Sequence, residues 1–220
     1  MENHQNIIFS GCSFTWGQSL YYCNESFTDL KEPINSCYDH KDTEFPSKEH
    51  KQYMIESRFA TQVANHFNCE PIVREENGGN NIQICRFVLN KLNSKTKFVV
   101  IQTTSFGRTN ADGWEGCETL EEQIDLFLKC TNLCIDKNIP IVFLHFDWHE
   151  NLIDEIPKVI KDRTILFDGE NSFYNKIRND ERLQMTSVYK KRYNKDIIDE
   201  HFNHEGHHYI SDKIINFFEK

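Results

Sequence analysis

Ile7-Ile8-Phe9-Ser10-Gly11-Cys12-Ser13-Phe14-Thr15-Trp16-Gly17 is the stretch on which the reading of this chain turns. Ile7 to Phe9 is a short, continuous, β-rich apolar run that ends in turn residues, the pattern of a strand buried on both faces of a parallel sheet. Gly11 breaks the strand, and Ser13 then stands where a helix opens. A serine so placed lies at the carboxyl edge of a sheet, beside helix N–H groups that favour negative charge. Taken alone, a serine at this position is more often a helix cap.

Three more runs of the same kind follow: Glu70 to Val73, Phe98 to Gln102, and Ile141 to Phe146. Helical periodicity fills the gaps between them. Tyr53 to Phe67 repeats Ile55, Phe59, Val63 and Phe67 at a four-residue step, and Ile82 to Leu92 and Leu120 to Ile135 carry similar stripes. A last helix is expected from about Gly206 to Phe218, with Ile210, Ile214 and Phe217 on one face. Strands alternating with helices predict an α/β domain, a three-layer α/β/α sandwich of flavodoxin-like type around a mainly parallel sheet of about four or five strands. Ligands of such sheets bind beyond the carboxyl ends of the strands. Residues 19–51 and 148–195 do not follow the alternation and read as insertions, either binding loops or plain surface excursions.

The chain has 220 residues, which suits a single domain, 1–220, with one sizeable core. Lys and Arg number 25 against 34 Asp and Glu, a formal net charge of -9 that disfavours nucleic acid as a partner. The densest basic run, Lys190 to Arg192, is followed closely by Asp196 and Asp199 and reads as a solvated face. No apolar run has the length of a signal-peptide core or a membrane span, so no membrane partner is expected and a cytoplasmic location is the default. Eight cysteines are scattered without any C-x-x-C and read as reduced thiols; Cys130 and Cys134 share a stripe with Leu126, Phe127 and Leu133.

Near the far end the sequence reads Asp199-Glu200-His201-Phe202-Asn203-His204-Glu205-Gly206-His207. A carboxylate two residues before a histidine, in a turn ahead of a helix, can orient an imidazole and stabilise its protonated form. The same segment also reads as a polar turn with Asn203 capping the helix.

Together these segments resemble the SGNH (GDSL-like) hydrolase family. Gly11-Cys12-Ser13-Phe14-Thr15-Trp16-Gly17 is similar to its first block, and Asp199-x-His201-x-Asn203-x-x-Gly206-His207 to its last. Asn77-Gly78-Gly79-Asn80-Asn81-Ile82-x-Ile84 resembles the second block. The resemblance implies a serine esterase with Ser13 as nucleophile, His201 as base and Asp199 as its partner. It also implies that Gly78 N–H binds the oxyanion beside Ser13 N–H. The substrate implied is a small-molecule or glycan ester, most simply an acetyl or short acyl ester, and no cofactor is called for. A sugar hydroxyl as acceptor would make the same site an acetyltransferase, and a domain that only binds ligand is the other alternative.

The chain departs from the family pattern at three points. Cys12 replaces the usual aspartate, Asp199 precedes His201 by two positions and not three, and the G-x-N-D block is missing. Thr103-Thr104-Ser105-Phe106-Gly107-Arg108 follows the third strand instead. Gln102, Thr104, Asn80 and Asn81 are the candidates to replace the asparagine that the family uses as an oxyanion donor. His204-Glu205-Gly206-His207-His208 also matches H-E-x-x-H formally, which leaves a zinc site built from His201, His204 and His208 as a further alternative, although Gly206 interrupts it at a helix start. Trp16, Tyr21, Tyr22, Trp114 and Trp148 read either as a substrate rim, with Trp16 as the named contact, or as core. Arg108 either holds an acidic substrate group or pairs with a carboxylate.

Overall fold

The computed structural model describes residues 5–33, 45–75, 79–106, 119–145, 156–167 and 172–220. Four strands, β1 (Asn6–Ser10), β2 (Glu70–Val73), β3 (Thr96–Gln102) and β4 (Ile141–Leu144), form one sheet in the order β2-β1-β3-β4, and all three pairings are parallel. From β1 the chain moves outward to β2, then returns to the other side of β1 for β3. That reversal puts the switch point of the sheet beside the end of β1, where Ser13 follows.

The alternation of side chains along the strands divides the interior in two. Ile7, Phe9, Phe98, Val100, Val142 and Leu144 share one cluster with Phe59 and Val63 of α3 (Phe59–His66) and with Ile210 and Ile214 of α9 (His204–Phe218). Ile8, Val99, Ile101, Ile141 and Phe143 share the other with Ile84 and Val88 of α4 (Asn81–Lys91) and with Phe127, Cys130 and Cys134 of α5 (Leu120–Asp136). The expected class, α/β with a parallel sheet, is therefore observed, with four strands and buried thiols on α5. Asn80 and Thr119 start α4 and α5 with reciprocal capping boxes.

The single helix expected over Tyr53–Phe67 is two. α2 (Lys48–Ser57) ends at Arg58, whose extended backbone (ψ 148°) starts α3. Tertiary structure sets this break. The Phe59 N–H, left without an intrahelical partner by the new start, donates to His207 Nδ1 at 3.0 Å, so α3 is capped from α9.

The two excursions pack on each other. A short helix α1 (Ser13–Trp16) leads into a 3-10 turn at Leu20–Cys23. In the second excursion lie α6 (Lys158–Lys161), α7 (Phe173–Arg178) and α8 (Met185–Tyr193). Tyr21, Tyr22 and Leu30 from the first meet Met185 and Tyr189 from α8 in a satellite core. Among the described residues no helix is long and apolar enough to cross a membrane.

Candidate active site

The turn after β1 is held from β3. Gln102 Oε1 accepts from Cys12 N–H at 3.1 Å and from Thr15 Oγ1 at 3.0 Å, which fixes the peptide on which Ser13 sits. This packing leaves no room for a side chain at position 11: a methyl there would collide with Thr15 Oγ1 and stand 2.6 Å from Gln102 Oε1. Arg74 Nη1 donates to the Gly11 carbonyl at 3.0 Å, so the turn is clamped from both flanking strands.

The Asp199–Asn203 segment is held by the chain before it. Gln184 and Phe202 form an antiparallel bridge, and Met185 N–H donates to the His201 carbonyl at 2.8 Å. Thr186 binds the backbone of Asp199 through both its N–H and its hydroxyl. Asn203 then caps α9, accepting from Gly206 N–H at 2.9 Å, while its amide donates to Arg182 O, Gln184 O and Ser187 Oγ. α9 runs back along the sheet, so its amino end lies at the carboxyl edge, where β1 delivers the serine.

There the two segments meet across 188 positions of sequence. Ser13 Oγ lies 2.7 Å from His201 Nε2, and His201 Nδ1 lies 2.8 Å from Asp199 Oδ1. An ionised carboxylate only accepts, so Nδ1 carries the proton and Nε2 is left to accept from the serine hydroxyl. All three groups are buried: Ser13 is 5 % exposed, His201 6 % and Asp199 1 %. Burial pushes the Asp199 carboxyl up, but the hydrogen bond and charge of His201, its backbone N–H and the Tyr189 hydroxyl outweigh this and hold it below its ordinary value. Phe14 lies against the imidazole, its ring centroid 4.6 Å away and tilted by 31°. It was not anticipated, and its only signal was its place beside Ser13.

The other candidates divide. Asn81 is a brace and not an oxyanion donor: its Oδ1 accepts from Thr104 N–H at 2.9 Å, and its Nδ2 donates to Thr104 O and to Gln123 Oε1. Both amide hydrogens are spent. The Gln102 amide is spent likewise, on Thr103 O and Cys12 Sγ. Thr104 is different, because among the described residues its buried Oγ1 has no hydrogen-bond partner. Trp16 is not a rim residue. It is 7 % exposed and packs with Leu20 and Met54, edge-on to Phe45 at 5.6 Å; Tyr21 and Tyr22 are interior as well. Gly78, Arg108, Trp114 and Trp148 lie outside the described residues.

The histidines of the formal H-E-x-x-H string do not converge with His201. His204 and His208 face solvent on α9 with rings 4.5 Å apart, whereas His201 is engaged with Ser13 and Asp199. Among the described residues no group of three His, Cys, Asp or Glu is arranged to hold a metal ion. Cys12 Sγ stands 3.9 Å from Ser13 Oγ and contacts Gln102.

A cavity of about 790 Å³ opens between the first excursion, α8 and the start of α9, lined among others by Tyr22, Leu30, Val188, Arg192 and His204. It is not where Ser13 lies. Tyr22, on its lining, packs on the Tyr189 ring at 5.2 Å, and the Tyr189 hydroxyl bonds Asp199. No family model matches the chain, and no curated protein matches it.

Proposed function

We propose that this chain is a serine hydrolase acting on an ester, with the three-layer fold and chemistry of the SGNH type. The observation that carries the reading is the hydrogen-bonded line from Ser13 Oγ through His201 to Asp199, with both bonds under 3 Å and all three residues buried. Serine is a poor nucleophile by itself, and an adjacent base whose far nitrogen is fixed by a carboxylate is the arrangement that activates it.

In the proposed reaction His201 Nε2 takes the hydroxyl proton as Ser13 Oγ bonds to the ester carbonyl carbon. The carbonyl π electrons move to oxygen, and Asp199 stabilises the imidazolium. The oxyanion is met by Ser13 N–H, which as the first helical residue has no intrahelical acceptor, by the unspent Thr104 hydroxyl, and by Gly78 N–H as the family resemblance implies. Collapse of the intermediate breaks the bond to the alkoxy group, which takes the proton from His201 and leaves as alcohol. Water, deprotonated by the same nitrogen, then attacks the acyl-enzyme; the bond from the acyl carbon to Ser13 Oγ breaks, Oγ takes the proton back from His201, and the carboxylic acid leaves. A short acyl group, free or on a carbohydrate, is the proposed substrate. A sugar hydroxyl in place of water would give acyl transfer at the same atoms.

The test is labelling with a fluorophosphonate probe together with hydrolysis of p-nitrophenyl esters of increasing acyl length. The wild-type protein is expected to be labelled at Ser13 and to turn over the acetyl ester. Ser13→Ala should lose both, with a drop in turnover on the order of a million-fold. Cys12→Ala should retain activity. A Ser13→Ala protein that keeps more than about a tenth of the wild-type rate would refute the assignment.

A further inference from the structure

Tyr189 belongs to α8, outside every stretch that resembles the family motifs, and its side chain is fully buried. Its hydroxyl donates to Asp199 Oδ2 at 3.2 Å. That is the carboxylate oxygen His201 leaves over, because the imidazole Nδ1–H and the His201 backbone N–H both take Oδ1. A buried carboxylate with one bare oxygen is costly, and a single-sided one can rotate about its last torsion. The Tyr22 ring packs edge-on against the Tyr189 ring, at 85°, and fixes its plane.

We infer that Tyr189 is a positioning residue, whose hydroxyl holds Asp199 Oδ2 so that Oδ1 stays aimed at His201, extending the triad into a buried line Ser13–His201–Asp199–Tyr189. The inference rests on the reading of Ser13 as nucleophile for its catalytic consequence, but not for its geometry. Burial keeps the phenol protonated well above its ordinary range, so it donates wherever the protein is folded. The other titratable groups here are Cys23 beside Asp199, Tyr21 and Tyr22 beside Tyr189, and His207 beside His201. Burial holds Cys23 up at about 12 and His207 down at about 3, so neither changes charge near neutrality.

Tyr189→Phe removes the hydroxyl and keeps the ring. Without that donor the Asp199–His201 pair binds a proton more tightly, so the acid limb of kcat/KM should move to higher pH. The kcat for p-nitrophenyl acetate should fall about tenfold, with KM within about twofold. The low-field proton resonance of His201 Nδ1–H should also shift, and this signal requires no catalysis. A variant with wild-type kcat, an unmoved acid limb and an unmoved resonance would overturn the inference. Failure of the wild-type protein to be labelled at Ser13 would instead overturn the esterase reading, and the resonance would still decide the role of Tyr189: a shift supports it, and no shift refutes it. Should Tyr189→Phe fail to fold by circular dichroism, 3-fluorotyrosine at position 189 carries the same test, because it keeps the ring and makes the hydroxyl a stronger donor: the His201 Nδ1–H resonance should shift, and a resonance at the wild-type position would refute the inference.

Discussion

Thr104, just past β3, and Asn81, at the start of α4, were candidates for the same task, and their hydrogen bonds differ. The Asn81 amide is consumed in holding the Thr104 peptide, and among the described residues the Thr104 hydroxyl is left buried and unpaired. A buried hydroxyl without a partner costs free energy in the resting protein, and a site that stabilises a developing anion is one place where that cost is recovered. Thr104→Val keeps the shape of the side chain and deletes the donor. We expect kcat to fall about a hundredfold with KM little changed, while the melting temperature stays level or rises. Steady-state kinetics on the acetyl ester, alongside a thermal melt, checks this. Unchanged kcat would remove Thr104 from the oxyanion site.

At the scale of elements, the amino end of α9 does more than begin a helix. Asn203 caps it and also contacts three acceptors in the 182–187 segment, which ties the helix, the His201 loop and α8 together. Asn203→Ala loses the cap and leaves carbonyls short of donors. The expected cost is about 2–3 kcal/mol, or roughly 5–10 °C in melting temperature for a chain of this size. Asn203→Asp keeps the cap acceptor but not the donors and should recover only part of the loss. Differential scanning calorimetry of both variants tests the division, and equal melting temperatures for Ala and Asp would show that the cap contributes nothing. The turn at Gly11 follows the same logic in reverse, since an added methyl has nowhere to go.

At the scale of the whole molecule, His207 joins α9 to α3 by accepting the Phe59 N–H, in a fully buried site where desolvation, together with His204 and Arg58, lowers its pKa from 6.5 to about 3. A depressed pKa in the folded state means that the unfolded chain binds the proton first as pH falls. The contribution of His207 is therefore complete above pH 6.5 and is lost progressively between 6.5 and about 3. The slope from this residue approaches about 1.4 kcal/mol per pH unit in that window. His145, also fully buried and pushed well below its ordinary value by desolvation, acts in the same direction. His207→Asn keeps an acceptor near the Phe59 N–H but does not titrate. Urea unfolding between pH 4 and 6.5 should show a shallower decline in the variant, and parallel declines would exclude His207 as a source of acid sensitivity.

Local pattern made much of this legible in advance. The four apolar runs became the four strands: β1, β3 and β4 are apolar because they are largely buried, and β2, the weakest run, is the half-buried edge strand. Ser13, Asp199 and His201 could be named from short motifs next to elements whose direction in a parallel sheet sends both segments to one edge. The role of Asn81 and the interior position of Trp16 were not legible, because a polar or aromatic residue near a site reads the same whether its partners are protein or substrate. Only the packed structure counts its hydrogen bonds. The break at Arg58 was hidden for a related reason, since its cap comes from His207, far away in sequence. Tyr189 shows the limit most plainly. Its helix carries no motif, and its bond to Asp199 exists because Thr186 of the same helix holds the Asp199 backbone against it. Sequence periodicity determines which faces are buried, whereas the pairing of buried polar atoms across distant segments is decided by tertiary structure, where each donor must find its acceptor away from water.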